Sequence, residues 1–226
     1  MRNLGWAALA LTISGVGSSS AQAQLPLPTP SPLPALTAPA EGMLSSVPLF
    51  ARLAADGTSL HTYSVPIHIM ARVRKSVLSV GFARDGNVSF EEPDHLSISI
   101  QSVPERYANV FAQLGTPRTW PWFYDLELRD RSSVAGRDTY ELTGVPRGSS
   151  DVDHVVIRMS DESQPIEAQW VLHDGWTITS TIVLESIGNY LVSKTEEYDI
   201  TGHGFKIHSE IQYGNYKLNG ETAAPS

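Results

Sequence analysis

The sequence predicts a mainly β protein, a curled antiparallel sheet forming an incomplete β-barrel, with one or two helices lying over it as a lid. Three observations carry this reading. Apolar and polar residues alternate at period two through most of the chain between Tyr63 and Tyr213, the signature of half-buried strands. The connectors carry turn chemistry, as in Ala135-Gly136, Asp174-Gly175, Gly188-Asn189 and Gly202-His203-Gly204, and such short links join antiparallel neighbours. About ten strands are also more than an open twisted sheet keeps flat, so the sheet must curl.

The chain has 226 residues. Its first stretch reads as an export signal: Arg2 supplies a basic start, 4–16 a short apolar run, and Ala21-Gln22-Ala23 a small-x-small cleavage site, which assigns 1–23 to a signal peptide. The run is broken by Ser14, Gly15, Gly17 and Ser18, short of the roughly 20 residues that a spanning helix needs. Residues 24–42 carry proline at every second or third position, which blocks helix and sheet bonding and makes a disordered tether. The folded domain is expected over 43–219, followed by a flexible tail at 220–226.

That domain opens on a short helix, with Leu44, Val47, Phe50, Leu53 and Ala54 at helical spacing, Pro48 limiting its start and Asp56-Gly57 closing it. Strands follow: one with Tyr63, Val65, Ile67 and Ile69 inward, in which Pro66 marks an edge or bulge; then Leu78, Val80 and Phe82; then Val88 and Phe90; then Leu96, Ile98 and Ile100. Asp85-Gly86 is read as a hairpin turn between the second and third of these runs. A second helix is expected over 102–115. Ser102, Pro104 and Glu105 make its start signal, Gly115 its stop, and Tyr107, Val110, Phe111 and Leu114 form one apolar stripe. The densest aromatic run, Trp120-Pro121-Trp122-Phe123-Tyr124, comes next, and alternation then resumes through Leu126 and Leu128, Tyr140 and Leu142, Val155 to Met159, Ile166 to Leu172, Trp176 to Ile182, Tyr190 and Val192, and Phe205 to Tyr213.

Composition excludes several chemistries. With no cysteine there is no disulfide scaffold, thiolate zinc site, thiol nucleophile or lipid-anchoring cysteine. A formal net charge of −8 argues against nucleic acid as a partner, whose affinity rests on clustered Lys and Arg. No G-x-S-x-G elbow, H-E-x-x-H helix or Gly-rich phosphate loop occurs, and the seven histidines are scattered. Neither a catalytic set nor a metal or cofactor site is therefore expected. Two readings stay open for the concave face of the sheet. The helix and aromatics plug it as a solid core, or they roof a cavity for an apolar ligand; cavity volume separates the two.

The phrase from Asp85 to Leu96, DGNVSFEEPDHL, the phrase Tyr140-Glu141-Leu142-Thr143-Gly144-Val145-Pro146 and the ending Tyr213-Gly214-Asn215-Tyr216-Lys217-Leu218-Asn219 resemble the LolA-like lipoprotein carriers and related envelope sensors. The resemblance spans roughly 59–219. It implies an incomplete antiparallel barrel with helices as a lid over an apolar cavity, a periplasmic location, and a carrier of a lipid, acyl chain or other hydrophobic small molecule. A membrane-bound donor or acceptor protein would be its partner, and no bond is made or broken. Arg72 and Arg74 are positional candidates for the arginine that latches the lid in that family. On this reading the lid residues Tyr107, Val110, Phe111 and Leu114, with the lining residues Trp120, Trp122, Phe123, Trp170 and Trp176, hold the ligand. The alternatives are a sensor module of the same fold and a hydrolase with a dispersed site.

Overall fold

A computed structural model describes residues 47–222 except 58, 93–94, 104–111, 113, 135–136 and 161–164. The expected signal peptide, the Pro-rich tether and most of the 102–115 helix lie outside the described residues. Helix α1 (Pro48–Gly57) leads into β1 (Thr62–Lys75), β2 (Leu78–Glu91) and β3 (His95–Ile100). A single-turn helix α2 (Trp120–Phe123) then runs directly into β4 (Tyr124–Val134). There follow β5 (Arg137–Pro146), β6 (Val152–Met159), β7 (Ile166–Leu172), β8 (Thr177–Ile187), β9 (Tyr190–Gly202), β10 (Phe205–Tyr213) and the two-residue strands β11 (Lys217–Leu218) and β12 (Glu221–Thr222).

Every pairing is antiparallel, in the spatial order β3-β2-β1-β10-β9-β8-β7-β6-β5-β4. The meander is thus continuous except where β1 and β10 meet, which brings the start and end of the domain side by side. β11 extends the line of β10 along β1, pairing at Tyr63 and Ser64. The sheet does not close, because β3 and β4 remain its edges, so the architecture is the incomplete antiparallel barrel that the alternation predicts. One placement within the expected tail differs: Glu221 and Thr222 pair with Leu218 and Lys217 across a turn in which Asn219 and Gly220 both have positive φ.

The expected hairpin at Asp85-Gly86 is not a turn. β2 runs unbroken through it, and the real β1–β2 turn is at Ser76 and Val77, with Ser76 at φ 52°. Gly86 serves a different purpose: a Cβ there would overlap the Ser99 carbonyl oxygen of β3 and press on Ile67 of β1. The glycine therefore permits close approach of three strands, the other meaning of a glycine inside a strand pattern. Ser102, read as a helix cap, instead lies in a turn with φ 62°, in which the Val103 N–H donates to the Ile100 carbonyl.

α1 presents Leu49, Phe50 and Leu53 to the concave face, as its periodicity requires. Its last turn is tied down twice. The Asp56 carboxylate accepts the Leu191 N–H of β9 at 3.0 Å, and Arg118 Nη1 donates to the Leu53 carbonyl at 3.2 Å, with the guanidinium 3.9 Å from Asp56. A cation at the carbonyl end of a helix is the favourable placement.

Candidate functional site

The concave face is divided. Over β4 to β8 it is densely packed. Trp120, Trp170 and Trp176 are fully buried there with Leu142, Val155, Ile157 and Ile178. Trp120 meets Trp170 edge-on at 6.1 Å between ring centroids. Each indole N–H is satisfied: Trp120 Nε1 donates to the Leu114 carbonyl at 3.2 Å, and Trp170 Nε1 to the Tyr124 hydroxyl at 3.0 Å. Trp176 stacks on Phe205 and leaves no room for a Cβ at Gly202.

Over β3, β2, β1, β10 and β9 the same face is hollow. A cleft there is lined by Ile67, Ile69, Ala71 and Val73 of β1, Phe82, Arg84 and Val88 of β2, Leu96, Ile98 and Ile100 of β3, Glu196, Tyr198 and Ile200 of β9, and Ile207, Ser209, Ile211 and Tyr213 of β10. Val103, Gly115 and Thr116, from the segment between β3 and α2, add to the wall. Its atom-free space, with open solvent included, is about 1000 Å³. A second hollow beside Arg118 is smaller, and a more open one at the other end of β1–β3, about 1110 Å³ with open solvent included, is lined by Tyr63, Phe90 and Leu96 together with Ser64, Ser89, Ser97, Glu91 and Lys217.

The cross-strand register explains the lining. Arg84, Ile69, Ile211 and Glu196 stand directly opposite one another across β2, β1, β10 and β9, so their side chains share the concave face. Among the described residues Arg84 and Glu196 are the basic and the acidic member of this lining, three strand spacings or about 14 Å apart along the sheet. Arg84 donates to the Ala83 carbonyl and lies over the Phe82 ring.

Glu196 is only 3% exposed. Ser193 Oγ donates to its Oε1 at 2.9 Å and Tyr198 Oη donates to its Oε2 at 2.7 Å. Burial pushes the carboxyl up from its ordinary value, more than its hydrogen-bond donors pull it down. A β-bulge builds this cluster. Between the pairs Thr195↔Val183 and Ser193↔Leu184 the extra residue Lys194 has no partner, so Ser193, three residues from Glu196, turns to the same face. Thr116 also borders the cleft; its buried hydroxyl lies near Tyr63 without closing a hydrogen bond of ordinary geometry.

Of the nine residues expected from sequence to hold a ligand, Tyr107, Val110 and Phe111 lie outside the described residues. The structure brings Leu114, Trp120, Trp170 and Trp176 together in the packed half and leaves Trp122 and Phe123 half-buried on α2. None of these six lines the cleft. Trp170 and Trp176 share a face, since Trp170 pairs with Ile178 and Trp176 precedes Ile178 by two. Arg72 and Arg74 are exposed and alternate with the inward Val73, so they point away from the cleft that the lid-latching arginine would serve. The residue that sequence reasoning missed is Glu196. Its signal was present: it stands two residues before Tyr198 and four before Ile200, in the inward phase of an alternating strand. Among the described residues no cluster of three or more potential metal ligands occurs.

No family model matches the sequence, and no curated protein matches it. Among solved structures the chain is similar to a DUF1329 family protein from Desulfovibrio piger, at 12% identity over 81% of this chain and 94% of that one, with a TM-score of 0.48. It is similar to an outer membrane lipoprotein-sorting protein domain from Vibrio parahaemolyticus, at 10% identity over 79% and 93%, with a TM-score of 0.48. A LolA superfamily protein from Nitrosomonas europaea shows 14% identity over 75% and 92%, with a TM-score of 0.47.

Proposed function

We propose that the protein is an exported, periplasmic binding protein or carrier that holds the apolar chain of a lipid, lipoprotein or similar amphiphile in the β3-β2-β1-β10-β9 cleft. One observation carries this reading: an apolar cleft persists on the concave face although the same sheet packs three tryptophans densely in its other half. A core left unfilled costs stability, and a hollow lined mostly by Ile, Val, Leu and Phe, with Arg84 and Glu196 as its charged groups, offers few polar partners to hold water in place.

An apolar chain bound there would be held by burial of its methylenes. Each buried methylene contributes about 0.8 kcal/mol, so ten contribute about 8 kcal/mol before an association cost of at least about 4 kcal/mol. The remainder gives weak binding of a bare chain, suited to pick-up and release. The function is one of binding, with no chemical step.

The test is organic extraction of the protein purified from its native host, followed by mass spectrometry, together with uptake of the apolar fluorophore N-phenyl-1-naphthylamine. Co-purifying lipid and saturable fluorophore uptake are expected. A protein that carries no lipid and takes up no fluorophore refutes the reading.

A further inference from the structure

We propose that the tip of the β1–β2 hairpin docks on an anionic lipid bilayer and delivers the cleft to the membrane surface. The observations are confined to one end of the molecule. Val77 is 94% exposed, Leu78 71% and Val80 44%, the largest apolar exposures along this hairpin. Arg72, Arg74 and Lys75 are exposed beside them, and Lys206 of β10 stands directly opposite Arg74.

Like charges placed opposite each other across two strands repel, so folding alone gives no reason for the Arg74–Lys206 pair. No ion pair among the described residues involves Arg72, Arg74, Lys75 or Lys206. Lys75 Nζ rests 4.3 Å above the Phe205 ring, and the nearby Asp199 carboxylate is occupied by His208 at 3.0 Å. A protein of net charge −8 thus concentrates four of its 16 Lys and Arg at one end with no balancing carboxylate in contact. Screening over about 10 Å lets this local cluster act independently of the distant negative charge.

The apolar tip decides between anionic partners. A nucleic acid or free phosphate would use the cations and leave Val77 and Leu78 in water, whereas a bilayer interface takes both at once, with basic side chains at the headgroups and apolar ones below them. The tip is also continuous with the cleft. Lys75 pairs with Leu78 and Val73 with Val80, so Leu78, Val80, Val73 and then Phe82 form an apolar run on one face from the exposed tip to the cleft wall. On its outer side β2 is covered by β3 only from Gly86 onward, which leaves the tip half of the hairpin at the sheet edge. The assignment stands on the hairpin and does not rest on the carrier reading.

The test is co-sedimentation of the purified chain with vesicles of phosphatidylcholine alone and of phosphatidylcholine mixed with phosphatidylglycerol. Binding to the mixed vesicles, weakened by added salt, is expected. Each surface cation contributes about a factor of five, so the double variant Arg72→Gln, Arg74→Gln should bind about twenty-five-fold more weakly. Leu78→Ser should also weaken binding at unchanged charge. Fluorophore uptake without vesicles should persist in the double variant, whose side chains lie outside the cleft. No preference for the anionic vesicles, or equal binding to DNA with no effect of Leu78→Ser, overturns the proposal. Vesicle binding without fluorophore uptake would instead sink the carrier reading and leave this one standing.

Discussion

Replacing Glu196 by Gln converts a buried titrating group into a neutral near-isostere, and its consequence for stability can be worked from the structure. Burial holds the folded carboxyl above its ordinary value of 4.5. Between 4.5 and that raised value the folded chain keeps a proton that the unfolded chain has lost. Stability therefore falls as pH rises through this window, with a slope of about 1.4 kcal/mol per pH unit for one proton. Below the window both states are protonated, above it both are ionised, and the slope vanishes at either end. The Gln variant has no such slope. The difference in unfolding free energy, variant minus parent, should climb with pH above 4.5 and then level off. Asp138 and Asp153 do not disturb this difference. Their carboxyls are held low by hydrogen bonds from Arg131 and His154 and titrate below 3.8, alike in both proteins. Urea unfolding followed by tryptophan fluorescence measures it, since Trp120, Trp170 and Trp176 are all buried when folded. A difference that is flat with pH, or that grows toward acid, would refute the reasoning.

Three further outcomes follow from the packing. Gly86→Ala forces a methyl against the Ser99 carbonyl of β3 and should cost about 1–3 kcal/mol, read as a lower urea midpoint. Tyr124→Phe removes the acceptor of the Trp170 indole N–H and a donor to the Leu114 carbonyl, at about 1–3 kcal/mol in the same assay. Ala71→Leu fills the cleft between Phe82 and Ser209 and should weaken fluorophore uptake about tenfold or more with cooperative unfolding retained, the magnitude expected when a few methylenes of contact are lost.

Most of the fold was legible because alternation is a local signal. In β6, β7 and β8 the inward phase of Val155, Ile157, Ile166, Ala168, Trp170 and Ile178 needs no knowledge of the neighbour. The turns at Gly175, Gly188 and Gly204 were legible for the same reason, since positive φ is the property of a single residue. Asp85-Gly86 misled because a glycine required by two neighbouring strands is indistinguishable, along the chain, from one required by a turn.

The candidate site divides along the same line. The amino-acid sequence by itself determined that a curled antiparallel sheet forms, that its concave face is apolar and that helices lie over it, because these follow from periods of two and 3.6. Only the tertiary structure decided which part of that face is densely packed and which is hollow. The tryptophans marked by their size turned out to fill one half, since β4 to β8 bring them within reach of one another. The cleft lies instead among smaller residues of β1 to β3, β9 and β10. Ser193 joins Glu196 there only through a bulge, and Arg84 faces Glu196 only because the end of the chain returns to pair with its beginning. Volume and cross-strand register are set by partners distant in the chain, which no local pattern encodes.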